Sequence, residues 1–328
     1  MKPIFKKMVL AALVLAAGTV QAQVKLTLGH NAAVGNPKHE ASVKFADIVK
    51  EKSGGKMIVQ VAPAAQLGDD VPILTSLRSG TVDFAANSQG SISSVVPEYS
   101  AFGMPFLFPT LQDAWKVLDG PVGQELAKRS AEKGLVVLGY WDNGIRHISN
   151  KVRPINVPAD LKGLKIRTPP DAVTIDIMQA LGAEAQQIKF SELYVALQQG
   201  VVDGQENPLM NVYSSKLYEV QKYISFTAHK YEMTPFVMSK RSYDKMSEAD
   251  RKIIREAAAE ATIYNRKLSL ESDQQLEGEL KAKGIVFNRP DLAPFQAATK
   301  SVTEKWMKGP EGPFVKQVVD AAAAASKK

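Results

Sequence analysis

The chain has no cysteine, which excludes a disulfide framework, a thiolate metal site, a cysteine nucleophile and a lipid-anchoring cysteine. Its stability must then come from its core, and 328 residues are enough for two domains. Histidine is scarce as well: residues 30, 39, 147 and 229, with no H-E-x-x-H pair and no acidic triplet at metal spacing. There is no G-x-S-x-G elbow, no phosphate loop and no G-x-G-x-x-G. Hydrolase and kinase readings therefore have no motif behind them, an enzyme is not expected, and neither a metal nor an organic cofactor is called for. Lysine and arginine form no block and no aromatic platform accompanies them, which argues against nucleic acid.

Long apolar runs are missing too, save one near the start. Lys2, Lys6 and Lys7 precede an uncharged run at 8–20, shorter than the ~20 residues a membrane span needs. Val20-Gln21-Ala22 follows as a small-residue cleavage site. Residues 1–22 thus read as a cleavable signal peptide, and the mature chain, beginning near Gln23, is expected to be soluble and periplasmic. Without those three lysines the formal charge falls from +7 to +4, a mild field that suits small anions.

What the chain does contain is a segment written twice. Leu77, Gly80, Val82, Asp83 and Asn87 return in register as Leu197, Gly200, Val202, Asp203 and Asn207. Each copy reads as a helix end, a glycine stop and a short buried strand. Stretches 24–29, 37–53, 57–61 and 70–79 precede the first copy; 164–167, 171–181, 184–188 and 191–199 precede the second. Both spell β-α-β-α-β, the pattern of a parallel sheet faced by helices. The expected fold is α/β, with two similar lobes, mainly parallel sheets and a cleft between them.

The bounds that follow are 23–142 with 232–270 for the first lobe and 143–231 with 271–328 for the second. Crossing segments at 142–147 and 231–236 would form a hinge. The apolar, proline-bounded stretch 102–109 is expected to plug a core. After Ser247, a good N-cap with Asp250 three residues on, helical spacing runs to Gly284. The 36 residues 248–283 would reach ~54 Å, long enough to brace both lobes.

Parallel sheets bind ligands beyond the carboxyl ends of their strands. Those ends are His30-Asn31 and Asn87-Ser88-Gln89 in the first lobe, and Arg167 and Glu206-Asn207 in the second. Trp141, Arg146 and Tyr231 come from the crossings. The set is polar and holds guanidinium groups, so it suits an anion. Arg167 is either a surface arginine at a strand end or a planar fork for a ligand carboxylate.

The string Phe190-Ser191-Glu192-Leu193-Tyr194 through Ala196-Leu197-Gln198, Gly200-Val201-Val202-Asp203-Gly204-Gln205-Glu206-Asn207-Pro208 resembles the signature of DctP-type solute receptors. These are the binding proteins of tripartite ATP-independent periplasmic (TRAP) transporters. Gly35-Asn36-Pro37, Gln66-Leu67-Gly68-Asp69, Met104-Pro105-Phe106-Leu107-Phe108, Gly163-Leu164-Lys165-Ile166-Arg167 and Tyr218-Glu219-Val220-Gln221 agree with it, over nearly the whole mature chain. The resemblance implies a monomeric receptor that closes on an organic acid and delivers it to a membrane permease. It implies that Arg167 holds the carboxylate, that Asn207 and Arg146 assist, and that Phe190 packs on the ligand. Sialate-binding members carry an acidic residue where this chain has Ser88, which turns the expectation from sialate to a sugar acid such as a hexuronate, aldonate or keto acid. A C4-dicarboxylate is the alternative, since Arg146 could hold a second carboxylate.

Overall fold

The computed structural model describes residues 23–327, so the signal-peptide reading of 1–22 lies outside the described residues. The first lobe opens with β1 (Val24–Gly29), α1 (Pro37–Lys52), β2 (Met57–Ala62), α2 (Asp70–Ser79) and β3 (Phe84–Ala86). Local chemistry sets the helix starts. The Asn36 side chain accepts from Lys38 N–H and Pro37 occupies the first turn of α1, while Asp69 caps α2. Gly80, at φ +81°, ends α2 in the left-handed conformation that glycine adopts without strain.

A short helix α3 (Gln89–Ile92), a 3-10 turn (Pro97–Gly103), α4 (Leu111–Leu118) and α5 (Pro121–Glu132) lead into β4 (Leu135–Asn150). The second lobe repeats the opening order: β5 (Lys165–Thr168), α6 (Ala172–Ala180), β6 (Glu184–Gln187), α7 (Phe190–Gln198) and β7 (Gly204–Asn207), followed by α8 (Leu209–Ser214). The chain returns along β8 (Tyr223–Ser239), then forms α9 (Lys240–Lys245), α10 (Glu248–Ala282), β9 (Val286–Asn288), α11 (Ala293–Met307) and α12 (Gly312–Ala325).

The two lobes share one mixed sheet of order β2-β1-β3-β8-β4-β7-β5-β6, with β9 pairing β8. Parallel triplets β2-β1-β3 and β7-β5-β6 flank the antiparallel pair β4 and β8. The expected short crossings at 142–147 and 231–236 are thus the middles of two long strands, paired Trp141 to Thr234 and Ile145 to Tyr231. Gly144, at φ +112°, sits in one of three register shifts, between Val137 and Gly139, Asp142 and Gly144, and Arg146 and Ile148. Such bulges add twist, which lets one sheet turn from the first lobe into the second.

Three apolar clusters hold the layers together. Phe45, Phe84, Trp141 and Phe236 stack under α10 in the first lobe. Leu193, Leu197 and Met210 pack against Leu280 of α10 in the second. Helix α10 serves both, through Ile254, Ala257, Ala258 and Ala261 at one end and Leu276 and Leu280 at the other. At 35 residues it is about 52 Å long and braces both lobes, as the spacing suggested.

The third cluster lies on the opposite face and buries Phe102, Met104 and Phe108 from the stretch read as a plug. It also takes Phe314 and Val318 of α12, which packs on α4 and on 97–103. Residues 312–325 therefore pack on first-lobe elements as well as on α11, which itself packs on α6 of the second lobe. Their apolar face has the same spacing whichever lobe receives it, so the sequence carries no sign of this.

Candidate functional site

A cavity of about 250 Å³ lies between the lobes, at the carboxyl ends of the parallel strands. Asn31, Lys38, Asp69, Asp70, Ser88 and Ser91 line it from the first lobe; Arg167, Gln187, Lys189, Phe190, Asn207 and Asn211 line it from the second. Asn143 and Arg146 of β4 and Glu232 of β8 form its floor.

Arg167 stands near the end of β5 and is 2% exposed. Its Nε donates to the Ile188 carbonyl at 2.8 Å, and its guanidinium lies 5.7 Å from the centre of the Phe190 ring. Among the described residues no carboxylate comes within ion-pair distance of it. Burial, only partly offset by the field of Glu206, brings its pKa down to about 10, so it stays charged at neutral pH. A buried, charged fork without a protein counter-ion is a site for a ligand anion.

Arg146 is just as buried and differently committed. Its Nε and Nη2 donate to the Glu206 carboxylate, Nη2 also to the Glu206 carbonyl at 2.6 Å, and Nη1 to Glu232. Burial opposes its charge, but the two carboxylates outweigh it and raise the pKa well above the ordinary arginine value. Two glutamates neutralise this arginine, which leaves little charge for a second ligand carboxylate.

Asn207 closes β7. Its Oδ1 accepts from Asn211 Nδ2 at 2.9 Å, and its own Nδ2 donates to Gln205. Across the cleft Asn31 Nδ2 donates to both Asp69 and Asp70, at 3.1 and 2.9 Å. Burial raises the Asp70 pKa against the pull of Lys38, which is 5% exposed. Hydrogen bonds join the lobes at the rim: Ser191 N–H to Asp69 at 3.1 Å, and Asn36 Nδ2 to Asn211 Oδ1 at 2.9 Å and to Ser214 Oγ at 3.1 Å.

Of the residues singled out from sequence, the structure brings Arg167, Asn207, Arg146, Asn31, Ser88 and Phe190 to the cavity wall. The other six lie behind it. His30 packs on His39 at 5.3 Å, and burial with nearby positive charge lowers its pKa to about 3. Asn87 donates to the Asp70 carbonyl, Gln89 to the Tyr99 carbonyl, and Glu206 clamps Arg146. Trp141 is core, stacked on Phe236 at 4.3 Å with its indole N–H on Thr262, and Tyr231 packs edge-on against Phe108.

The reason is the strand period of two: neighbours on a strand or its extension point to opposite faces. Asn31 faces the cleft and His30 does not; Ser88 does and Asn87 and Gln89 do not; Glu232 does and Tyr231 does not. The same alternation, had it been applied in β8, points to Glu232, which the sequence reading missed. Lys38, Asp69, Asp70, Asn143 and Asn211 were missed as well. Asp69 lay inside the Gln66-Leu67-Gly68-Asp69 string, and Lys38 directly after the Gly35-Asn36-Pro37 string.

A polar cleft between two α/β lobes joined by paired long strands, with an uncompensated buried arginine in it, defines a two-lobed solute-binding protein. The chain belongs to the bacterial extracellular solute-binding protein family 7, the DctP type of TRAP receptor, which matches residues 28–309. It is 33% identical to the 2,3-diketo-L-gulonate-binding periplasmic protein YiaO of Escherichia coli K12, over 90% of this chain and 91% of YiaO. It shares 33% identity and a TM-score of 0.90 with the sugar acid binding protein DctPAm of Advenella mimigardefordensis, solved with galactonate, over 93% of this chain and 99% of that one. Protein y4mM of Sinorhizobium fredii is 52% identical over 87% of this chain, which spans about half the length of that relative (52%). The chain is a solute-binding protein and not an enzyme. Among the described residues no helix is long and apolar enough to cross a membrane.

Proposed function

We propose that this protein is a periplasmic receptor for an organic acid, a sugar acid foremost, which it delivers to a TRAP membrane permease. The observation that carries the proposal is Arg167: buried, charged, stacked beside Phe190 and without a protein carboxylate. One ligand carboxylate satisfies it. The rest of the wall is rich in neutral donors and acceptors, among them Asn31, Ser88, Ser91, Asn143 and Gln187, suited to hydroxyl groups. Asp69, Asp70 and Glu232 add negative charge that disfavours a second carboxylate. YiaO and DctPAm, named for a diketo sugar acid and solved with an aldonate respectively, point the same way. One observation favours a C4-dicarboxylate instead: Lys38 lies buried in the first-lobe wall and forms no ion pair there among the described residues.

A thermal-shift screen of hexuronates, aldonates, keto acids and C4-dicarboxylates tests this. A ligand at 100 times its Kd adds about 2.7 kcal/mol to stability. A shift with sugar acids alone supports the favoured reading, a shift with succinate alone supports the alternative, and no shift with any carboxylate overturns both.

A further inference from the structure

We infer that Asn36, outside the ligand cavity, is a positioning residue of the site: it latches the first lobe onto the one orientation of Asn211 that turns an Asn207 N–H toward the ligand. This rests on the reading of the cleft as an organic-acid site. The argument is an accounting of donors and acceptors along a chain of amides. Asn36 Oδ1 accepts the backbone N–H of Lys38 at 3.0 Å, so its Nδ2 faces the second lobe. Both hydrogens of that Nδ2 are used, on Asn211 Oδ1 at 2.9 Å and on Ser214 Oγ at 3.1 Å.

Asn211 must therefore present its oxygen to the first lobe and its Nδ2 inward. There it donates to Asn207 Oδ1 at 2.9 Å and to Asn143 Oδ1 at 3.2 Å. The far end of the chain agrees. Asn143 Nδ2 donates to the Glu232 carboxylate at 2.7 Å, an orientation that turns Asn143 Oδ1, an acceptor, toward Asn211. With its oxygen taken by Asn211 and one hydrogen given to Gln205, Asn207 has one side-chain N–H left, and the residue lines the cavity. A flip of Asn211 would set two NH2 groups against each other at Asn36 and two oxygens at the partner positions. Lobe contact and an anion-seeking Asn207 are thus one arrangement: an anion accepting from Asn207 favours closure, and closure holds Asn207 as a donor.

The cap and the latch can be separated. Asn36→Ser keeps a hydroxyl for the Lys38 N–H but cannot reach Asn211 or Ser214. Asn36→Asp is an equal or better helix cap yet turns an acceptor onto Asn211 Oδ1. The inference expects both variants to fold and to melt within a few degrees of the parent without ligand. D-galactonate should leave Asn36→Ser roughly tenfold faster, with association unchanged, and leave Asn36→Asp faster still. Dissociation equal to the parent's in both, or an Asn36→Asp variant that binds as tightly as the parent, overturns it. If neither D-galactonate nor succinate binds the parent, the substrate reading fails while the latch is still tested. Side-chain amide exchange in the ligand-free chain should then be faster for Asn211 in Asn36→Ser than in the parent, and equal exchange overturns the latch.

Discussion

Asp83 and Asp203 perform the same task 120 positions apart. Asp83 Oδ2 accepts the backbone N–H of Thr27 at 2.8 Å, and Asp203 Oδ2 accepts that of Lys165 at 2.9 Å. Each carboxylate ties the entry of its lobe's third strand to the first strand beside it, β3 to β1 and β7 to β5. The repeated segment is therefore a repeated joint. Asp83 also accepts from Ser242 Oγ at 2.7 Å. Alanine at either position should lower stability by about 1–3 kcal/mol, with the larger loss at Asp83, as read from urea denaturation. No loss at both would mean the carboxylates are dispensable.

Arg167→Ala should weaken acid binding by roughly 30- to several-thousand-fold, the range for truncating one partner of a shielded charge pair, about 2–5 kcal/mol. The fold should persist, because Arg167 has no protein carboxylate to strand. Arg167→Lys should recover part of the loss, keeping charge without the planar fork. Calorimetry on the three proteins decides, and parent-like affinity in Arg167→Ala would place the anion site elsewhere.

Arg146→Ala is expected to act on the fold first. It leaves Glu206 and Glu232 buried without their cation, a change that typically costs about 3–5 kcal/mol. A lower melting temperature without ligand should accompany any loss of binding. Unchanged melting with lost binding would instead return Arg146 to the role of a ligand contact.

Acid should destabilise the protein as it forces charge onto its buried histidines. His30 and His147 have pKa values lowered to about 3 by burial and by nearby positive groups, against about 6.5 unfolded. Between those values the unfolded chain binds protons that the folded chain refuses, so stability falls with falling pH, by up to about 1.4 kcal/mol per pH unit for each ring. Denaturation midpoints from pH 7.5 to 4.5 measure this, and a flat profile would show that the rings are not buried as neutral groups.

Gly90→Ala probes the close approach of the lobes under the cavity. A Cβ on Gly90 would overlap Asp171, whose carboxylate is held by Val173 N–H, Thr174 Oγ1 and Lys230 Nζ and cannot easily yield. Overpacking of this kind costs about 1–3 kcal/mol. Ligand should shrink the radius of gyration less in Gly90→Ala than in the parent, by solution scattering; equal shrinkage would show that the contact does not bear on closure.

Much of this was legible beforehand because it depends on local rules. The glycine stops at Gly80 and Gly200, the cap Ser247 and the length of α10 follow from neighbours in sequence. Arg167 was found because carboxyl ends of parallel strands converge. Facing was harder. Trp141 and Tyr231 sit on the wrong side of their strands, and the bulges that set the phase in β4 leave no clear mark in the residue pattern. Asn211 owes its place to contacts between distant segments, with Asn36 and Asn143, which no period in one segment encodes.

The interleaving of the lobes bears on how the chain can be made. Strand β3 has one edge on β1 and the other on β8, and β4 lies between β8 and β7. Until residues 223–239 leave the ribosome, β3 and β4 both present unpaired backbone, and the Phe45–Phe84 pocket lacks Phe236 and helix α10. A product truncated before Tyr223 is therefore no half-receptor: it carries two open sheet edges and an uncovered aromatic core, the features that make nascent fragments stick to one another. Completion of either lobe waits on the last third of the chain, which makes folding of this molecule largely an event of the finished polypeptide.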